Sequence, residues 1–130
     1  MGPGGYQELD IWQRSRHLAV EVYARLHKLP AREQYALMDQ LRRCAVSVPS
    51  NIAEGWGRAS TQEFIRFLRI ARGSLMELET QVILAHDFGY IDDQSQAHLL
   101  GLTDEVSRKL MATIKGLQKT APVVVSTHNP

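Results

Sequence analysis

Arginine recurs at every third position through Arg66, Arg69 and Arg72, and Arg58 stands shortly before that run. A guanidinium is planar, stays charged, and offers donors in a fork that matches two phosphate oxygens. A row of them on one helix face would track a nucleic-acid backbone; the plainer use of such a row is a solvated face. Trp56 lies between Gly55 and Gly57. An aromatic in that place either plugs one end of a helical packing or offers a ring for base stacking. A second set, Arg43, Ser47, Asn51 and Glu54, falls on one stripe at helical spacing. It reads as a hydrogen-bonded polar layer, with Glu54, Glu77 and Glu79 as partners for Arg42, Arg43 and Arg58. Pairing is expected because a buried charge left alone is costly. The other use of the stripe is contact with a ligand or RNA.

Other chemistry finds no support in the residue pattern. His17, His27, His86, His98 and His128 show no metal spacing, and no Glu-x-x-His pair occurs. No Ser-His-Asp order, glycine-rich phosphate loop or paired-cysteine site is present. Cys44 is most simply a small core residue. The chain is read as non-enzymatic, with no cofactor and no metal.

These residues sit in a chain of 130 residues, enough for one domain with its own core. A formal net charge of +1 makes any basic footprint local. The single cysteine excludes an internal disulfide and favours a reducing compartment. No apolar run reaches membrane-spanning length, and no signal peptide is read. A cytoplasmic protein with no membrane contact is expected.

Four helical patterns position the arginines. The first runs from about Asp10 to Leu29, with Trp12, Ala19, Val22, Leu26 and Leu29 at three- or four-residue spacing and Pro30 as its stop. The second, about Glu33 to Glu54, buries Leu37, Leu41, Ala45, Val48 and Ile52. Pro49 inside it predicts a kink or a break into two helices. The glycine pair Gly55 and Gly57 ends it. Ser60 and Glu63 form a capping-box pattern that opens the third helix, about Thr61 to Phe88. Its seam is Phe64, Leu68, Ala71, Leu75, Leu78, Val82 and Ala85. Gly73 and Ser74 in mid-helix suggest close approach by another backbone and, with the wide apolar surface beside them, an oligomer. Gly89 is a left-handed C-cap. The fourth helix starts after Asp92 and runs to about Lys119 through Leu99, Thr103, Val106, Leu110, Thr113 and Leu117. The predicted fold is all-α, an antiparallel up-down-up-down four-helix bundle over residues 10–119. Residues 1–9 read as a flexible leader and 120–130 as a loose tail.

The assembled motifs resemble a known family: the four-helix-bundle proteins encoded by intervening sequences in bacterial 23S ribosomal RNA genes, also labelled the S23 ribosomal protein family. The matching pieces are Leu9-Asp-Ile-Trp-Gln13, Gln40-Leu-Arg-Arg43, Val46-Ser-Val-Pro-Ser-Asn-Ile-Ala-Glu-Gly55, Gly57-Arg58, Glu63-Phe64, Gly73-Ser-Leu75, Glu77-Leu-Glu79 and Phe88-Gly-Tyr-Ile91. The resemblance spans about residues 6 to 118. It implies a ring-shaped homopentamer. A related branch serves as the accessory protein of diversity-generating retroelements, where a strongly basic pentamer binds nucleic acid and partners a reverse transcriptase. This chain differs from that branch in its near-neutral charge. The expected partners are therefore other copies of the chain, then RNA or DNA, and a reverse transcriptase or other protein. A protein-binding scaffold with no nucleic-acid role is the alternative function.

Overall fold

The computed structural model describes residues 4–26 and 35–120. It contains four α-helices, α1 (Asp10–Leu26), α2 (Tyr35–Gly57), α3 (Thr61–Asp87) and α4 (Asp93–Thr120), preceded by a 3-10 turn at Gly5–Glu8. No strand occurs among the described residues. The helices pack in cyclic order: α1 on α2, α2 on α3, α3 on α4, and α4 back on α1. The expected stop at Leu29 and Pro30, His27, His128 and the tail from residue 121 lie outside the described residues.

The apolar rows fall inward largely as their spacing requires. Leu41, Ala45, Val48 and Ile52 of α2 meet Leu68, Ala71, Leu75, Leu78, Val82 and Ala85 of α3, all fully enclosed. Leu99, Val106 and Leu110 of α4 and Leu18, Val22 and Leu26 of α1 close the core. Trp12, Ala19, Leu37, Phe64 and Leu117 are half-buried at its margin. Thr103 is buried because its hydroxyl donates to the Leu99 carbonyl at 2.8 Å, so no polar atom is left unmet. The buried position next to Thr113 is Ile114.

Several features differ from the sequence reading. The turn Gly5–Glu8 falls in the stretch expected as a leader. It packs on α1 and α2, with the Tyr6 ring edge-on to Trp12 at 5.3 Å. α2 continues unbroken through Pro49 and includes both glycines of its last turn. The chain leaves the helix at Ala59, whose φ of 59° is left-handed. For a residue with a Cβ that conformation costs roughly 1–2 kcal/mol.

Gly55 has another role. A Cβ there would lie 2.6 Å from Cβ of Phe67. The close contact within the bundle is thus at Gly55, against a side chain of α3. Among the described residues nothing lies within 4 Å of a Cβ built on Gly73. The capping box is half formed. The Glu63 amide donates to Ser60 Oγ at 3.3 Å, but the Glu63 carboxylate turns to Arg66. The end of α3 follows its sequence signals closely. The Tyr90 amide reaches the Ala85 carbonyl at 2.8 Å and the Gly89 amide reaches His86 at 2.9 Å, the paired bonds of a Schellman end.

The α1–α4 seam is laced with charge. Lys109 meets Asp10 at 2.8 Å, Arg14 meets Glu105 at 3.8 Å, and His98 Nε2 lies 2.6 Å from Glu21 Oε1. The bond to His98 holds the Glu21 carboxyl below its ordinary range, with smaller help from the charges of His17 and Arg25. Lys109 does the same for Asp10. A carboxyl whose pKa is lowered by folding stabilises the fold above its unfolded pKa, and the gain is lost as pH falls. Two outcomes are expected. Thermal melts should show stability falling as pH drops below about 4.5, with a shallower decline in Glu21→Gln. Gly55→Ala should destabilise by about 1–2 kcal/mol, since overpacking against Phe67 exceeds the gain in helix propensity. Gly73→Ala, into open space, should instead be neutral or stabilising by up to about 1 kcal/mol.

Candidate nucleic-acid interface

The arginine row divides into two environments. Phe67 is buried as α3 closes on Gly55, and its ring face carries two guanidinium groups. Arg66 lies 4.6 Å and Arg58 5.1 Å from the ring centroid. Each also has a carboxylate. Arg66 bonds Glu63 through two nitrogens, at 2.9 and 3.2 Å, and Arg58 bonds Glu54 at 2.9 Å. The bond from Arg66 holds the Glu63 carboxyl below its ordinary range, and Glu63 in turn raises Arg66. These two arginines are already engaged within the chain.

Arg69 and Arg72 are placed differently. Both are exposed and line a groove of about 420 Å³ between α3 and α4. Lys115 of α4 reaches the same groove, over a floor of Met76, Met111 and Ile114. Among the described residues none of these three cations has a carboxylate within ion-pair distance. Gly73 keeps the groove open on the α3 side. The cationic side chains that the groove brings together are thus Arg69, Arg72 and Lys115. Lys115 was missed because its place depends on the rotation of α4 about its axis. The only signal was its position beside Ile114, an apolar residue outside the row predicted to be buried.

The predicted polar layer is found in part: Glu54 pairs with Arg58 as expected, but at the surface rather than buried. Arg43 pairs with Asp39 at 2.9 Å on the surface, and Glu54 with Arg58 likewise, at about half exposure for both side chains of the second pair. Arg42 lies over the Tyr23 ring at 5.4 Å. Glu77 is exposed and Glu79 half-buried, and neither makes an ion pair with an arginine among the described residues. Arg43 and Glu54 fall on the side of α2 away from its buried row, which is why they reach water. The member that bonds to α3, Ser47, is uncharged. The hydroxyls of Ser47 and Ser74 are 2.9 Å apart, and Asn51 Nδ2 donates to the Ser47 carbonyl at 2.8 Å and its hydroxyl at 2.9 Å.

Trp56 is half-buried, edge-on to Phe64 at 5.7 Å, beside Leu117 at the α2–α3 corner. Cys44 is half-buried against the core, and burial pushes its thiol up, away from thiolate chemistry. No group of three metal-ligating side chains converges among the described residues. No helix among them is long and apolar enough to cross a membrane.

The sequence model described as 23S rRNA-intervening sequence protein matches residues 7–112. The chain belongs to this family. A solved structure similar to it is that of a protein of unknown function from the S23 ribosomal protein family of Bacteroides thetaiotaomicron VPI-5482. It is 26% identical, with a TM-score of 0.73, and the match covers 81% of this chain and 98% of that one. A comparison with curated proteins gives no match. The family match takes in α1, α2, α3 and most of α4, and so includes both the groove arginines and the Ser47–Ser74 contact. Because Glu54 is exposed, Glu54→Ala should change stability by no more than about 0.5 kcal/mol. A chemical-denaturation midpoint measured beside the parent protein checks this.

Proposed function

We propose that this family member is an up-down-up-down four-helix bundle that assembles with other copies of itself and acts without enzymatic activity as a nucleic-acid accessory factor. The family resemblance supports a ring of five copies. The observation that carries the nucleic-acid role is the groove in which Arg69, Arg72 and Lys115 stand without carboxylate partners among the described residues. Elsewhere most basic side chains of the described residues are neutralised within the chain or lie on an aromatic ring, as Arg16 does on Trp12. The groove has no aromatic lining residue, so it suits the phosphates of structured RNA better than stacked single-stranded bases. Copies arranged in a ring would present the groove repeatedly to one RNA and raise affinity through linkage alone.

A protein scaffold is the second reading, favoured by exposed Val20, Tyr23, Val46 and Phe88. On that reading the partner is a reverse transcriptase or another protein.

The experiment is affinity for a structured RNA and a duplex DNA at several salt concentrations. Binding should weaken steeply with salt, as released counterions require. Arg69→Ala with Arg72→Ala should flatten the log–log slope by about 0.7–0.9 for each phosphate that is no longer neutralised, leaving helicity and assembled mass unchanged. Arg58→Ala with Arg66→Ala should alter it less, since those groups already have partners. An absence of binding at low salt, or the same slope in every variant, rejects the groove and favours the scaffold.

A further inference from the structure

A second surface lies on α1 and α2, separate from the arginine groove. Trp12, Ala19 and Val20 of α1 and Val46, Pro49 and Ala53 of α2 line one groove of about 360 Å³. Val46 also lines a neighbouring hollow with Tyr23, Arg42, Arg43 and Asp39, and the Asp39 carboxylate there is taken up by Arg43 at 2.9 Å. From Trp12 to Tyr23 the surface runs for about 16 Å, three helical turns. Val20 is 57% exposed, Tyr23 49% and Val46 47%, a large apolar area for one side of a helix pair to leave in water. Two arginines lie along the groove, each on an aromatic ring: Arg16 on Trp12 at 5.5 Å and Arg42 on Tyr23 at 5.4 Å. Neither has a carboxylate partner among the described residues. Tryptophan, tyrosine and arginine in an apolar setting are the residue types that dominate protein interfaces.

The same chain carries a face with the complementary chemistry. From Glu77 on, the outer side of α3 exposes Ile83 and Leu84, and Phe88, which caps the helix, adds its ring; the carboxylates Glu77 and Asp87 flank them. These residues also span about 16 Å. No lysine or arginine occurs from Gly73 to Asp93. The histidine on this stretch of α3, His86, is half-buried, and its ring is 2.5 Å from Asp93 and 4.0 Å from Asp87. Groove against groove would oppose arginines, and face against face would oppose carboxylates, so like-with-like pairing is disfavoured.

We propose that the α1–α2 groove receives the Glu77–Phe88 face of α3 from a second copy of the chain. Ile83, Leu84 and Phe88 fill the apolar floor, and Glu77 and Asp87 meet Arg16 and Arg42. The contact joins two different surfaces, so copies add head to tail. Such an interface closes into a ring or continues as a filament, according to the rotation between neighbours. The assignment rests on the oligomeric reading above and goes beyond it in naming the two mating faces.

Two double variants separate the possibilities, each at exposed positions: Val20→Glu with Val46→Glu in the groove, and Ile83→Glu with Leu84→Glu on the face. Circular dichroism first confirms that each keeps its helices. Light scattering at micromolar concentration should then give several times 14.7 kDa for the parent chain and a single chain mass for each variant alone. Mixed, the variants should stop at a one-to-one pair, because one intact groove meets one intact face. Variants that keep the parent mass, or monomeric variants that fail to pair when mixed, overturn the assignment while oligomerisation stands. A monomeric parent chain overturns both. Should a glutamate variant unfold, Arg16→Glu with Arg42→Glu should lose assembly and regain it when Glu77→Arg and Asp87→Arg are added. Absence of that rescue overturns the proposal.

Discussion

The contact between Gly55 and Phe67 is the constraint on which the rest depends. A glycine in the last turn of α2 lets α3 approach until the Phe67 ring is buried. That contact fixes the rotation and height of α3 against α2. Two turns on, it brings Ser74 to Ser47 and turns the row from Leu75 to Ala85 inward. It also explains the split in the arginine row. Phe67 turns its face to Arg58 and Arg66, and both find carboxylates within reach on neighbouring turns. Arg69 and Arg72, further along, are carried round to the α4 side and meet Lys115 instead.

Element type and most helix ends were legible in the sequence because they depend on local chemistry. Ser60, Gly89 and Asp92 each act through backbone bonds within a few residues, and those bonds are present. The buried rows of α2 and α3 were legible because a four-three rhythm leaves one face for the core. What could not be read depends on how far one helix is rotated against another. Gly55 and Gly73 look alike in sequence, yet one is packed and the other open. Arg43, Ser47, Asn51 and Glu54 share a spacing, but only Ser47 bonds to α3, through Ser74, while Asn51 bonds back to Ser47. The left-handed Ala59 gave no warning, because glycine or asparagine is the usual sign of that conformation.

The small net charge of the chain conceals how its charges are arranged. Asp10 with Lys109, Glu105 with Arg14, and Asp104 with Arg108 cancel locally and serve α1 and α4. Such exposed pairs add little stability each, but they place a carboxylate beside each of those cations. A near-neutral total is therefore compatible with a cationic groove. It requires only that compensating carboxylates stand elsewhere, and they do.

Where they stand is informative. Along α3 the charge changes sign at Gly73: arginines occupy positions 66, 69 and 72, and the charged residues beyond are Glu77, Glu79 and Asp87. A helix left to optimise itself would favour the reverse, with carboxylates toward its N-terminus and cations toward its C-terminus. Glu63 obeys that preference in the first turn; Asp87 in the last turn opposes it. Nor is the pattern needed for packing, since Arg69, Arg72, Glu77 and Asp87 all face water. A placement that helps neither the helix nor the core is best explained by contacts outside the chain. The cationic half adjoins α4 in an open groove, and the acidic half exposes aliphatic and aromatic side chains. One helix thus offers two chemically distinct surfaces, a cationic one beside α4 and an acidic, apolar one beyond Gly73, and these are the two surfaces that the proposed nucleic-acid and self-association roles would use.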